Sequence, residues 1–304
     1  MDTRRIGSLT VSAVGLGCNN FGGRLDAART AEVVHAALDA GVTFFDTADI
    51  YGGTRSEEFL GRALGARRRD VVVATKFGMR VDDRRQGAHP DYVRQACEDS
   101  LRRLGTDVID LYQLHQPDPS VPIADTLGAL DALVRAGKVR EVGCSNFSVA
   151  QLREAAAVPN VAHFVSVQNE YSLFHRAPEE DGVLAECARA GLALLPYFPL
   201  ASGLLSGKYR RGQAPPPGTR LASGARGDQL TDERLARVER LIALAEGRGH
   251  TVLELAVAWL LARPEVASVI AGATTPEQVR ANAAAAAWRL TSDDLAAAEQ
   301  ALAA

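Results

Sequence analysis

Eight short apolar runs, separated by stretches of helical character, leave few folds open to this 304-residue chain. The runs are Ala13–Gly17, Val42–Asp46, Val71–Lys76, Val108–Leu114, Val139–Ser145, Phe164–Gln168, Leu192–Pro196 and Val266–Ile270. Most are rich in β-branched or aromatic residues and have the length of strands buried on both faces. Between them the apolar spacing becomes helical. Val33, Val34, Ala37 and Leu38 share one face, with Thr30 as the expected cap and Gly41 as the stop. Another stretch runs from Asp91 to Leu104 and stops at Gly105. Strands that alternate with helices of about 10–15 residues indicate parallel βαβ units. Such units form either an open doubly wound sheet or a closed barrel.

Three regions stand outside the rhythm. Arg4–Ile6 and Leu9–Val11, with Gly7 and Ser8 between them, read as a hairpin that would plug the lower end of a barrel. Residues 206–228 are rich in Gly, Pro and Arg and lack periodicity, so a flexible lid over a cofactor or active site is expected there. Beyond it lie three helical stretches: about Thr231–Arg248, then Thr251–Ala262, which Pro264 ends, and Thr291–Leu302.

A net charge of -3 gives no reason to expect nucleic acid or an anionic membrane as partner. No uninterrupted apolar stretch reaches the roughly 18 residues of a membrane span. The four cysteines are scattered without a C-x-x-C pair, which argues against disulfides and zinc and fits a reducing compartment. The opening residues carry no apolar run of secretory length. A cytoplasmic protein, working as a monomer, is expected.

Unusual polar residues fall at the ends of the candidate strands. Asp46 ends the second, with Tyr51 in the following loop; Lys76 ends the third and His115 follows the fourth. Ser145 and Asn146 close the fifth, Gln168 the sixth, and Tyr197 follows the seventh. They recur at roughly the 30-residue interval of a βα unit in a barrel of about 250 residues, and barrel enzymes carry their chemistry at those strand ends. The residue types suit one reaction. A carbonyl that accepts hydride needs a proton on its oxygen, and a phenol with a pKa near ~10 supplies it only when perturbed. A lysine ammonium alongside favours the phenolate, and an aspartate can hold that lysine. An imidazole such as His115 can orient the carbonyl oxygen. Taken singly each residue has an ordinary structural reading; their joint placement at one end of a barrel does not.

At these positions the sequence resembles the aldo-keto reductase superfamily. The likeness lies in FFDTADIYGG (Phe44–Gly53), ATKFG (Ala74–Gly78), LYQLHQPDP (Leu111–Pro119) and GCSNF (Gly143–Phe147). It extends from GLG at Gly15–Gly17 to GATTPEQVRAN at Gly272–Asn282. It implies an α/β chain, a single (β/α)8 TIM barrel over residues 1–304, with an N-terminal hairpin plug and extra C-terminal helices. It implies a catalytic tetrad of Asp46, Tyr51, Lys76 and His115 that reduces a small aldehyde or ketone with NADPH.

The same likeness assigns cofactor contacts. Ser145, Asn146 and Gln168 would bind the nicotinamide amide and Tyr197 would stack on its ring, with Cys18, Asn19 and Asp46 close by. PLASGLLSGKY (Pro199–Tyr209) resembles the pyrophosphate loop of the branch that includes potassium-channel β-subunits. It supplies Pro199, Leu200, Ala201 and Gly203 beside Phe198, and Lys208 with Arg220 would neutralise phosphates. Gly272, Thr274, Gln278 and Asn282 match the adenosine end. The Gly272–Gln278 segment has no basic residue, so NADH use stays open. Asn19, Phe21, Tyr51, His115 and the loop Gln116–Val121 are expected on the substrate side.

Other patterns are weak. Gly15–Gly17 lacks the third glycine of a Rossmann fingerprint, and Gly203–Lys208 falls one residue short of a P-loop. No histidine pair has metal-binding spacing. Two further readings compete with the reductase: a cofactor-holding sensor with slow turnover, and a Schiff-base aldolase that uses Lys76.

Overall fold

The computed structural model describes residues 1–222 and 229–303. Two leading strands, β1 (Thr3–Ile6) and β2 (Leu9–Ser12), pair antiparallel. Eight more follow: β3 (Val14–Gly17), β4 (Phe44–Asp46), β5 (Val72–Phe77), β6 (Ile109–Leu114), β7 (Val139–Ser145), β8 (Ser166–Gln168), β9 (Ala193–Leu194) and β10 (Val269–Gly272). They lie parallel in the order β10-β3-β4-β5-β6-β7-β8-β9, with helices in the crossovers. The ring closes between its last members: Leu194 N–H donates to Glu265 O at 2.7 Å, Ala267 N–H to Leu194 O at 3.0 Å and Ile270 N–H to Pro196 O at 3.2 Å. The architecture is the (β/α)8 barrel, not the open doubly wound sheet.

Burial explains why the strands read as continuous apolar runs. Every residue of β4, β5, β6 and β8 is buried, because one face fills the barrel and the other meets the helices. The inner core is small: Phe44, Val72, Ala74, Leu111 and Leu195 pack against Ile6, Leu9 and Val11 of the hairpin. The hairpin is therefore the plug that its sequence suggested. Its turn fixes Gly7 at φ +54, where an added Cβ would come within 2.7 Å of Glu141 Oε1. Ser8 N–H donates to that same carboxylate oxygen at 2.6 Å. Arg4 ties the plug to the rest of the ring. Its guanidinium donates to Leu261 O at 2.6 Å and Arg263 O at 3.1 Å, and also to Val266 O, so it satisfies carbonyls that the end of helix Val252–Leu261 leaves open.

Several element boundaries differ from the expectation. The helix of Val33 and Leu38 spans Ala27–Asp39, and Asp26, not Thr30, caps it by accepting from Arg29 N–H at 2.9 Å. A carboxylate at the N-terminus suits both the open N–H groups and the helix dipole, while Thr30 lies buried one turn inside. Strand β9 is only two residues long, and β10 starts three residues later than the run Val266–Ile270 implied. Val266 and Ala267 instead make the closing contact with Leu194. The helix Pro276–Ala284, capped by Thr275, is additional to the three expected C-terminal helices. Its signal, a threonine followed by Pro and Glu, is present in the sequence. Of the expected lid, Ser206 ends a short 3-10 helix, residues 207–222 form turns and loop, and 223–228 lie outside the described residues.

Candidate active site

Parallel strands in a barrel end on one face, and that face carries a cleft of about 680 Å³. Asp46, the last residue of β4, is 3% exposed and forms the hub of its floor. Lys76, from β5, donates from Nζ to Asp46 Oδ2 at 2.6 Å and to Thr47 O at 3.0 Å. The other carboxylate oxygen, Oδ1, accepts from Gln168 Nε2 at 3.0 Å and from Gln113 Nε2 at 3.2 Å. A buried carboxylate is thus held by a cation and two amides, which is what a charge in a low-dielectric floor requires.

Tyr51 stands over this floor. The lysine Nζ is 5.2 Å from its ring centroid, and the His115 ring meets it edge-on with centroids 5.7 Å apart. The four side chains of the expected tetrad, drawn from β4, the following turn, β5 and the residue after β6, therefore come together. Their electrostatics follow from burial. Desolvation raises the Tyr51 phenol above its usual range, opposed by the Lys76 ammonium. Lys76 is itself desolvated, but Asp46 and Tyr51 more than offset this and keep it charged. Burial, with the nearby ammonium, pushes His115 down to about 3, so its imidazole is neutral. Its Nδ1 is buried without a hydrogen-bond partner.

A second polar layer adjoins the first. Asn146 Nδ2 donates to His115 O at 3.0 Å, and Tyr197 OH donates to Asn146 Oδ1 at 2.8 Å. Ser145 Oγ donates to Gln168 O at 2.7 Å. Asn146 holds this position at φ 62, a left-handed conformation that Asn tolerates better than most residues. Phe198, Ala201 and Ser202 also have positive φ, at 50, 45 and 60. Non-glycine strain of this kind concentrates at binding sites, and here it marks the loop after β9.

Cations gather further along the same cleft. Lys208 is desolvated and faces Arg24 and Arg220, and these three effects lower its pKa. Arg220 donates to Asn20 Oδ1 at 3.2 Å, and its guanidinium lies 5.6 Å from the centre of the Phe198 ring. Arg24 donates to Gly218 O at 2.6 Å. Three positive groups thus stand at one wall and give that end of the cleft a positive field. Thr274, Gln278 and Asn282 lie on the cleft beside the start of helix Pro276–Ala284, and Asn282 Nδ2 is buried without a hydrogen-bond partner.

Most of the residues expected at the site border the cleft, including Cys18, Asn19, Pro199, Leu200, Gly203 and Gly272. Two do not. Phe21, expected on the substrate side, is fully buried in the core beneath the helices, because Phe21 N–H bonds to Cys18 O and turns the apolar ring inward. Ala201 likewise gives its methyl to that core. In the loop after His115, Gln116 borders the cleft while Val121 packs on the core. Participants that escaped the sequence reading include Gln113, which holds Asp46, and Asn20, Arg24 and Met79, which line the cleft. Gln113 was open to detection, since strand alternation puts it on the same face as His115. Arg24 and Met79 sit in loops with no periodic signal.

Comparison with known proteins bears on the family and the fold. The family model described as "Aldo/keto reductase family" matches residues 13–303. A probable voltage-gated potassium channel subunit beta of Oryza sativa subsp. japonica is 36% identical over 275 residues, 86% of this chain and 83% of that one. An aldo-keto reductase of Bacillus subtilis (strain 168) is also 36% identical, over 94% of this chain and 88% of its own. Among solved structures, the glycerol dehydrogenase of Gluconobacter oxydans superposes with a TM-score of 0.86 at 33% identity, covering 99% of this chain and 95% of that one. With a family match across nearly its whole length on a barrel of the same build, the chain belongs to the aldo-keto reductase family of oxidoreductases.

Proposed function

We propose that the protein reduces an aldehyde or ketone to its alcohol, with NADPH as reductant and Tyr51 as proton donor. One observation carries the reading: Tyr51, Lys76, Asp46 and His115 converge beside a cleft that also gathers Arg24, Lys208 and Arg220.

The residues fit a phosphorylated dinucleotide. The Asn282 Nδ2, buried without a partner among the described residues, suits an acceptor, and Lys208 with Arg24 and Arg220 around it gives that wall a field that suits phosphate. Gln168, Asn146 and Ser145 would hold the nicotinamide amide with Tyr197 against the ring. Lys208, Arg220 and Arg24 would hold phosphate, and residues 206–222 would form part of a flap over it. When bound, the reduced nicotinamide supplies hydride. This chain's part is the proton. Tyr51 is a neutral phenol at ordinary pH, and the ammonium of Lys76 stabilises the phenolate left once the proton moves to the carbonyl oxygen. Asp46 keeps Lys76 charged and oriented. His115, neutral, donates a hydrogen bond that orients the carbonyl.

The aldolase reading requires an uncharged lysine amine. Lys76 is buried as an ammonium on Asp46, so that reading is set aside. The test is a titration of NADPH against NADH, followed by a carbonyl panel read by nucleotide absorbance. Tighter NADPH binding and oxidation by at least one carbonyl are expected. Tight binding without turnover on any carbonyl would favour the sensor.

A further inference from the structure

Behind the Tyr51 turn lies a buried polar cluster that the proton-transfer chemistry does not use. Asp49, two residues before Tyr51, is 2% exposed. Its backbone N–H donates to Lys76 O at 3.0 Å, and its Oδ2 accepts from Tyr92 OH at 3.2 Å. Its Oδ1 is buried with no hydrogen-bond partner among the described residues. Glu57, fully buried on helix Arg55–Leu64, accepts from Thr75 Oγ1 and from Arg103 Nε, both at 2.6 Å. Tyr92 and Arg103 both belong to helix Pro90–Leu104. One helix therefore holds, by two separate links, the residue before Lys76 and the turn that carries Tyr51.

We propose that Asp49 is a positioning residue for Tyr51: its carboxyl ties the Tyr51 turn to helix Pro90–Leu104, and its protonation state sets how firmly that turn is held. The inference rests on the reading of Tyr51 as proton donor. Other bonds hold the turn to the start of the following helix, Ser56 N–H to Tyr51 O at 3.2 Å and Arg55 Nε to Gly52 O at 2.9 Å, while the Asp49 carboxyl ties it to helix Pro90–Leu104. Tyr51 N–H bonds to Ala48 O at 3.2 Å and Gly53 N–H to Ile50 O at 3.3 Å, both within the turn, and Thr54 follows at φ 75. Gly52 lies so close to Phe21 O that a Cβ there would sit 2.2 Å away, so the turn is packed on that loop and the phenol stands where this backbone is held.

The groups facing Asp49 are Glu57 from the neighbouring helix, Tyr92 and Arg103 from helix Pro90–Leu104, and Tyr112 from β6. Desolvation and the Glu57 carboxylate raise Asp49 to about 7, against the Tyr92 hydroxyl and Arg103. The neutral carboxyl is the form that its unpartnered oxygen and the facing Glu57 favour. Ionisation puts two carboxylates in one dry pocket, and their repulsion drives the Asp49 turn away from the helix that carries Glu57, against the pull of the Tyr92 hydroxyl. A displacement of the phenol well under an ångström is enough to cost roughly tenfold in rate.

The experiment measures kcat, nucleotide affinity and amide exchange of the turn between about pH 5 and 9, across the range where Asp49 titrates. Wild type, Asp49→Asn, Tyr92→Phe and Tyr51→Phe are compared. Wild-type kcat is expected to fall roughly tenfold through a break near pH 7, with faster exchange at residues 50–53 and unchanged nucleotide affinity. Asp49→Asn removes the break. Tyr92→Phe, which takes a donor from the charged form, moves it up by about one pH unit. A break that persists in Asp49→Asn overturns the proposal; if that variant does not fold, a break unmoved in Tyr92→Phe does so. Wild-type kcat in Tyr51→Phe would instead overturn the proton-donor reading, whereas loss of kcat there with a break insensitive to both other changes removes only the role of Asp49.

Discussion

Lys76 Nζ lies 2.6 Å from Asp46 Oδ2, with both side chains shut off from water. Among the described residues neither charge has another ion-pair partner, so each depends on the other. Asp46→Ala leaves a buried ammonium uncompensated and is expected to cost about 3–5 kcal/mol in chemical denaturation. Asp46→Asn retains an acceptor for the lysine and should cost less. Equal losses in the two variants would mean that the charge is not what matters.

Removing the phenol tests the chemistry directly. Tyr51→Phe keeps the ring against His115 and deletes only the hydroxyl that carries the proton. A drop of about 10²–10⁴-fold in kcat is expected, the usual contribution of a general acid. Nucleotide affinity, read by fluorescence titration, should stay within twofold, an order-of-magnitude bound set by the absence of a phenol contact to phosphate.

The three cations of the cleft make a prediction about cofactor choice. Lys208→Ala and Arg24→Ala should each weaken NADPH binding by about 10–100-fold, the worth of a hydrogen bond to a charged group. NADH binding should change less in whichever variant loses a contact to the extra phosphate. The salt dependence of NADPH affinity should flatten in both variants. Parallel losses for the two nucleotides would place these cations on the pyrophosphate instead.

His115 links stability to acid. Its folded pKa, about 3, is below that of an unfolded histidine near ~6.5, so between those values the unfolded chain binds the extra proton. The stability that His115 contributes is complete above about pH 6.5 and is lost as pH falls toward 3. Denaturation of wild type at pH 7 and 5 should show a steeper loss than in His115→Gln, which carries no titrating ring. The same slope in both would contradict a neutral, desolvated imidazole.

Arg4 offers a test of the plug. Arg4→Ala frees the carbonyls of Leu261, Arg263 and Val266 at the seam where the barrel closes. A loss of about 1–3 kcal/mol is expected, with little effect on kcat because the plug lies at the opposite end from the strand C-termini.

The chain's own pattern of apolar runs and helical spacing was enough to name the βα alternation, the hairpin and the strand ends that carry Asp46, Lys76, His115 and Gln168. Periodicity is local and survives in a string of letters. The seam was less legible: β9 keeps only two residues, and the closing bonds fall on Val266 and Ala267. Closure depends on stagger around the whole ring, which no single run encodes. Phe21 shows the same limit at one residue, since whether a ring in a loop faces cleft or core depends on a turn made by its backbone.

Sequence alone determined which chemical groups this protein carries to one end of a barrel, because each group is tied to a strand end at a regular interval. Tertiary structure alone decided their charge states and their company. It placed Gln113 and Gln168 on one oxygen of Asp46, set Arg24 beside Lys208 and buried Asp49 against Glu57. Burial and through-space distance fix these properties, and both arise between segments far apart in the chain.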